Sequence, residues 1–195
     1  MAPDKQLDGM TVAFLVSDLF EQAEMTEPRH ALMQAGAKTV LVSDQGPFVR
    51  GMHCEELADT FEVDVDLQDA LPQDYDALVL PGGTLNADAL RMVESAQRFV
   101  QAFEEAGKPI AAICHAPWLL VSAGLVAGRT LTSWPSLQDD IRNAGGTWVD
   151  REVVVDAHWI SSRKPDDLPA FNRELIAAVA RSPDDVPPMP PMLPG

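Results

Sequence analysis

The strongest constraint on the fold is a repeated unit, a short apolar run followed by a stretch with helical period. MTVAFLV at 10–16 is almost unbroken in apolar character, as a strand covered on both faces requires. KTVLVS at 38–43, ALVL at 77–80 and IAAI at 110–113 repeat the pattern. Helical spacing begins near Glu24, with Ala31, Leu32 and Ala35 on one face and Gly36 placed to end the helix. A second helix is expected over 93–106, stopped by Gly107-Lys108-Pro109. This alternation predicts an α/β domain with a mainly parallel central sheet. Residues 48–66 alternate loosely and read as a β-hairpin excursion. Further on, helices are expected near 117–123, at 136–144 and at 168–181. Strands are expected at 130–132 and near 147–149, 152–155 and 159–161.

A chain of 195 residues is long enough to bury a core without disulfides or a structural metal. One domain is expected over residues 1–182, and a tail over 183–195, PDDVPPMPPMLPG. Six prolines there favour extended polyproline II. The tail reads either as frayed or as docked on a partner subunit through Met189, Met192 and Leu193. Lys and Arg number 14 against 30 Asp and Glu, a net charge of −16. That balance argues against nucleic acid and anionic membranes, which call for clustered positive charge. The first residues are polar and acidic, and no apolar run nears the roughly 20 residues of a membrane helix. A cytoplasmic protein is expected. Two cysteines, Cys54 and Cys114, with no Cys-x-x-Cys spacing, are expected to be free thiols.

The chemistry concentrates in Ile110-Ala111-Ala112-Ile113-Cys114-His115-Ala116-Pro117. A buried strand stops at Cys114, and Pro117 stands where a helix should begin. A tight strand-to-helix turn lifts a side chain over the carboxyl edge of the sheet, as a nucleophile elbow does. Helix amides beneath it are expected to lower the thiol's pKa, and the His115 N–H to face an oxyanion formed at sulfur. Pro81-Gly82-Gly83 ends another strand, and its glycines allow the close approach an oxyanion hole needs. Asp18, Glu21, Glu24 and Glu27 follow the first strand and can bring a carboxyl group to the same edge. His30 reads as an exposed helix residue, His53 as a surface loop and His158 as a satisfied, partly buried imidazole. Trp118, one turn past Cys114, is expected to border the crevice.

Four ordered blocks carry a family likeness: FEQAEMTEP, LVLPGG, AICHAPWLLVSAG, and SWPSLQDDIRNAGG with VDREVVVD after it. Together they resemble the PfpI family, part of the class I glutamine amidotransferase-like superfamily that also holds the parkinsonism-associated deglycase. The resemblance spans roughly residues 10 to 181. It implies a flavodoxin-like three-layer sandwich, a homodimer or higher assembly of dimers, and no metal or organic cofactor. It implies Cys114 as nucleophile, His115 beside it, Glu24 as the carboxyl group bonded to sulfur, and backbone N–H groups of Gly83 and His115 as the oxyanion hole. Its third triad member is an acid reached across a subunit interface. Asp88 is the best counterpart, with a short helix at 88–92 as the alternative role. Ala116 stands where the family often has Gly.

The His-x-Glu of a true amidotransferase is absent, since Trp159 and Ile160 follow His158. Gly-x-Gly-x-x-Gly and P-loop motifs are absent too. Three readings remain: a stress-response cysteine enzyme acting on small reactive carbonyls as a glyoxalase or deglycase, an intracellular cysteine peptidase or other hydrolase, and a non-enzymatic redox sensor or chaperone-like protein. A thiolate, an oxyanion hole and a proton shuttle are enough for a small aldehyde, whereas peptides need an extended cleft. The first reading is expected.

Overall fold

The computed structural model describes residues 6–181, so the proline-rich tail and its expected docking lie outside the described residues. Each apolar run becomes a strand: β1 (Thr11–Val16), β3 (Lys38–Ser43), β7 (Ala77–Leu80) and β8 (Ile110–Ile113). With β6 (Val65–Asp66), β11 (Val153–Asp156) and β12 (Trp159–Ser162) they form a seven-stranded sheet in the order β11-β12-β8-β7-β1-β3-β6. Every pair is parallel except β11 with β12 at the edge.

Period-two geometry then divides each strand between two cores. Val12, Phe14 and Val16 pack with α1 (Gln22–Ala35) and α6 (Leu168–Val179), through Met25, Leu32, Phe171 and Leu175. Ala13 and Leu15 face the opposite side, with Phe99, Val100 and Phe103 of α3 (Glu94–Glu105) and Leu119 and Leu120 of α4 (Pro117–Ser122). Helices on both faces of a mainly parallel sheet make the expected flavodoxin-like sandwich. Each large apolar side chain so buried contributes roughly 1.5–3 kcal/mol.

A three-stranded sheet in the order β2-β4-β5 stands apart, built from β2 (Phe20–Glu21), β4 (Phe48–His53) and β5 (Glu56–Glu62). The excursion therefore ends at Glu62, and Val65 and Asp66 return to pair with β3. Residues 20 and 21 are drawn into a strand by β4, so α1 begins at Gln22. The 130–132 and 147–149 segments form their own pair, β9 (Thr130–Leu131) with β10 (Thr147–Trp148), flanking α5 (Gln138–Asn143). The helix expected at 88–92 is corrected to α2, Thr84–Arg91, because Gly83 at φ 90° turns the chain straight from β7 into the helix. Among the described residues no helix is long and apolar enough to cross a membrane.

Candidate active site

The strand order reverses between β1 and β7, with β3 reached on one side and β8 on the other. Loops leaving the carboxyl ends of β1, β7 and β8 open there, where doubly wound sheets hold their ligands. Cys114 follows β8 directly, and its φ of 63° lies in the left-handed region. A side chain held there costs roughly 1–3 kcal/mol, so its surroundings must enforce it. The Cys114 N–H donates to the Ser162 carbonyl at 3.0 Å, and the Cys114 carbonyl accepts from the Trp134 N–H at 2.8 Å. The elbow is thus pinned on both sides.

Glycine is required opposite this elbow. A Cβ on Gly82 would lie 2.6 Å from the Cys114 Cβ and 2.5 Å from Glu24 Oε2, and one on Gly83 would lie 2.6 Å from the Glu21 nitrogen. The backbone N–H groups of Gly83 and His115 lie near enough to the Cys114 sulfur to favour its anion. They are therefore close to any oxygen on a carbon bonded to that sulfur.

Glu24, in the first turn of α1, is fully buried. Its Oε2 accepts from the Gly82 N–H at 2.9 Å. Among the described residues Oε1 has no well-aligned hydrogen-bond partner, and the Cys114 sulfur lies beside the carboxyl. Burial pushes the Glu24 pKa up from 4.5 to about 8, with the Glu21 charge adding to the rise and the Gly82 N–H and Cys114 thiol opposing it. At neutral pH Glu24 therefore carries its proton.

The thiol differs from the sequence expectation. Burial raises its pKa above the ordinary value, with the Glu24 charge acting in the same direction, and the Gly83 and His115 N–H groups oppose them. Protonation of Glu24 removes the opposing charge.

His115 Nδ1 lies 3.1 Å from the Cys114 sulfur, and Nε2 lies 3.4 Å from Thr84 Oγ1. The ring stacks on Trp134, centroids 5.7 Å apart at 23°, and meets Trp118 at 5.4 Å and 59°. Burial lowers the imidazole pKa, which favours the neutral ring, the form able to accept a proton. Asp88 is exposed on α2 and makes no hydrogen bond or ion pair among the described residues. Within one chain it does not meet His115.

Of the other acids, Asp18 accepts from the Arg50 N–H at 2.6 Å and Glu21 from the Cys54 N–H at 2.9 Å, so both brace the hairpin. Glu27 and His30 are exposed, and His53 and Cys54 lie exposed at the hairpin tip. His158 is buried with Nε2 2.8 Å from Glu104 Oε2. Among the described residues no three His, Cys, Asp or Glu side chains gather as metal ligands would. A cavity of about 280 Å³, lined by Leu19, Glu21, Met52, Gly83, Thr84 and Leu85 among others, shares Gly83 and Thr84 with the site. A larger hollow of about 600 Å³ between Leu67, Pro72, Glu94 and Phe99 has no nucleophilic side chain with it except Ser95.

Sequence reasoning misses Thr84, Asn86 and Trp134. Asn86 is fully buried. Its Oδ1 accepts from the Ser17 N–H at 2.6 Å, while Nδ2 donates to the Pro81 and Gly82 carbonyls at 3.0 and 2.9 Å. It ties the loop after β1 to the loop after β7. The one available signal was an Asn in the first turn after Gly-Gly.

The model of the DJ-1/PfpI family matches residues 10–178. Deglycase PfpI of Pyrococcus furiosus is 40% identical over 167 residues, 86% of this chain and 98% of that protein. Protein/nucleic acid deglycase 2 of Escherichia coli is 40% identical over 85% of this chain and 95% of its own length. Putative cysteine protease YraA of Bacillus subtilis is 40% identical over 85% of this chain and 95% of its own. Among solved structures, a two-domain protein of Anabaena variabilis with DJ-1/ThiJ/PfpI-like and ferritin-like domains superposes with a TM-score of 0.83 at 30% identity. It covers 92% of this chain and 50% of that one.

Proposed function

The chain belongs to the DJ-1/PfpI family, and from that premise we propose that it is a cysteine enzyme acting on small reactive carbonyls, of the glyoxalase or deglycase type, with Cys114 as nucleophile. The observation that carries this reading is a buried carboxyl group and an imidazole placed on one thiol. Glu24 holds its proton beside the Cys114 sulfur, and His115 Nδ1 lies 3.1 Å from that sulfur. The cavity of about 280 Å³ next to Gly83 and Thr84 has the scale of a small molecule. The names of the Pyrococcus furiosus and Escherichia coli relatives support the same class.

The groups act as follows. Cys114 sulfur adds to the aldehyde carbon of an α-oxoaldehyde while its proton passes to His115 Nδ1. The carbonyl electron pair moves onto oxygen, which faces the Gly83 and His115 N–H groups and takes a proton from Glu24. A hydrogen then moves from the former aldehyde carbon to the neighbouring carbon as a proton, through an enediol. The product is a thioester of a 2-hydroxy acid. Water cleaves that thioester: its OH joins the acyl carbon and its other proton passes to Glu24. The sulfur regains its proton from His115, which releases the acid and restores the thiol. Substrate plus water equals product, so no outside oxidant or reductant enters. An adduct on an amine enters at the same carbon, the amine leaving with one proton as the carbon–sulfur bond forms.

Peptide hydrolysis is the second reading, favoured by the name of the Bacillus subtilis relative. Methylglyoxal turnover by the unmodified protein and by Cys114→Ala, with peptide substrates in parallel, tests both. Loss of at least ~10³-fold in Cys114→Ala is expected for a nucleophile. Full methylglyoxal turnover by Cys114→Ala, or peptide cleavage with no carbonyl turnover, would sink the carbonyl reading.

A further inference from the structure

A trans peptide is planar and points its C=O and its N–H to opposite sides. Whatever holds the carbonyl of such a unit therefore also aims its donor. Two consecutive peptides after β7 supply donors to this site. The Pro81–Gly82 peptide directs its N–H to Glu24 Oε2, at 2.9 Å. The Gly82–Gly83 peptide places its N–H near the Cys114 sulfur. Side chains of the loop itself cannot brace these planes. A Cβ on Gly82 would collide with Cys114, and one on Gly83 with the Glu21 nitrogen.

Both carbonyls end on one side chain. Asn86 Nδ2 donates to the Pro81 carbonyl at 3.0 Å and to the Gly82 carbonyl at 2.9 Å. The amide nitrogen has two hydrogens, and each peptide takes one. The partners also decide which way the amide points. Oδ1 accepts from the Ser17 N–H at 2.6 Å, so the end that faces two carbonyls must be Nδ2. The Glu21 N–H adds a longer bond to the Gly82 carbonyl, at 3.2 Å. Were the Gly82–Gly83 peptide to turn over, its N–H would meet these two donors and its carbonyl oxygen would face the sulfur. Asn86 is fully buried, and an unpaired carbonyl or N–H is costly there.

We infer that Asn86 is a positioning residue of the site, whose amide holds two consecutive peptides so that the Gly82 N–H is aimed at Glu24 and the Gly83 N–H at the oxygen formed beside Cys114. Its own bonds go to backbone groups, and it acts through them. This rests on Cys114 being the nucleophile of carbonyl chemistry, since an adduct at that sulfur is what brings an oxygen to the Gly83 N–H.

Turnover and the bare thiol are measured side by side, per folded molecule. Asn86→Ala removes the amide. Asn86→Asp keeps the shape but has at most one hydrogen to offer two carbonyls, and it stands in should Asn86→Ala fold poorly. In either variant kcat for methylglyoxal should fall ~10-fold or more, with KM within ~3-fold. Outright loss of an oxyanion-hole donor costs roughly 10²–10³-fold. Iodoacetamide reads the thiol, sulfur displacing iodide to form a C–S bond while the thiol proton passes to buffer. Alkylation of the Cys114 peptide, resolved by mass spectrometry from that of Cys54, should slow ~5-fold, the scale of one hydrogen bond. Glu104→Gln is the control for general loosening, because Glu104 bonds His158, Trp159 and Arg129 and none of the elbow residues. It should keep both rates within ~2-fold. Unchanged kcat and alkylation in the folded Asn86 variants, or equal losses in Glu104→Gln, would overturn the inference. Absence of carbonyl turnover in the unmodified protein, with alkylation still slowed in the Asn86 variants and not in Glu104→Gln, would remove the carbonyl reading and leave the peptide assignment standing.

Discussion

Two glutamates on opposite faces of the sheet are both withdrawn from water, and they end in opposite charge states. Glu24 is fully buried and is held up to about 8, whereas Glu104 is brought down to about 2. Burial pushes Glu104 upward too, but there the donors outweigh it. Its Oε2 lies 2.8 Å from His158 Nε2 and accepts from Trp159 Nε1 at 2.6 Å, and the Arg129 guanidinium pairs with Oε1. Arg129 also lies over the Trp159 ring at 4.8 Å. Glu24 has one backbone N–H and a neighbouring thiol. Burial alone does not decide whether a carboxyl ionises. The count and charge of its donors do, so one site stores a proton and the other stores a charge.

The same substitution should therefore move stability in opposite directions. Glu24 takes up a proton on folding between pH 4.5 and about 8. The folded state binds more protons than the unfolded chain in that window, so stability falls as pH rises through it. Glu24→Gln has no such term. Its stability relative to the unmodified protein should climb from pH 4.5 to 7, by up to ~3 kcal/mol at 1.36 kcal/mol per pH unit. Glu104 contributes stability that is complete above 4.5 and is lost as pH falls toward about 2. Glu104→Gln should cost ~3–5 kcal/mol at pH 7, as breaking a buried ion pair does. Urea melts of both variants at pH 5 and 7 measure this. A loss in Glu24→Gln that grows with pH, or a neutral Glu104→Gln, would erase the contrast.

Turnover should sort the pair the other way. Glu24→Gln keeps a neutral side chain beside the sulfur but cannot release a proton to the adduct oxygen, so kcat should drop ~10²-fold or more. Glu104→Gln, assayed per folded molecule, should stay within ~2-fold, because Glu104 bonds Trp159 and His158 and none of the elbow residues. Near-normal turnover in Glu24→Gln would take Glu24 out of the chemistry. A smaller effect sharpens the same assignment. In the unmodified protein kcat should decline above about pH 8, as Glu24 ionises and puts a negative charge beside the sulfur. Residual activity in Glu24→Gln should lack that alkaline limb. A limb that persists there belongs to another group.

The strands that build the sheet were readable because each is a short apolar run with a polar or glycine boundary, and 38–43, 77–80 and 110–113 match the structure residue for residue. The elbow was readable for the same reason, since Ile113 ends a buried run and Pro117 opens a helix. Neither Thr84, Asn86 nor Trp134 could be read this way. Their partners are His115, Ser17 and Cys114, each brought near by the sheet order and by no local period. Glu24 stood out from three neighbouring acids only through the family likeness, because periodicity does not say which acid of a first turn faces inward. The thiol departs from the sequence expectation because helix amides are local and visible in sequence, while the burial that raises its pKa is tertiary.

The smallest expected effect concerns the other acid of this comparison, Asp88, which unlike both glutamates is exposed and makes no hydrogen bond or ion pair among the described residues. The family likeness implies an acid supplied by a second copy of the chain, and the group it would orient is His115. Thr84 Oγ1 already faces Nε2 from within the chain, and Nδ1 faces sulfur. If no carboxylate reaches His115 from a second copy, Asp88→Ala alone should keep kcat within ~2-fold, the range usual for an exposed helix position away from such a role. Mixed assemblies decide the case. Cys114→Ala chains are combined with Asp88→Ala chains, and hybrid formation is verified by native mass spectrometry. With no acid acting in trans, the mixture should show only the activity of its intact Cys114 sites. An inactive Asp88→Ala that regains turnover in hybrids would instead place the acid in trans, one site drawing its thiol and its carboxylate from different chains.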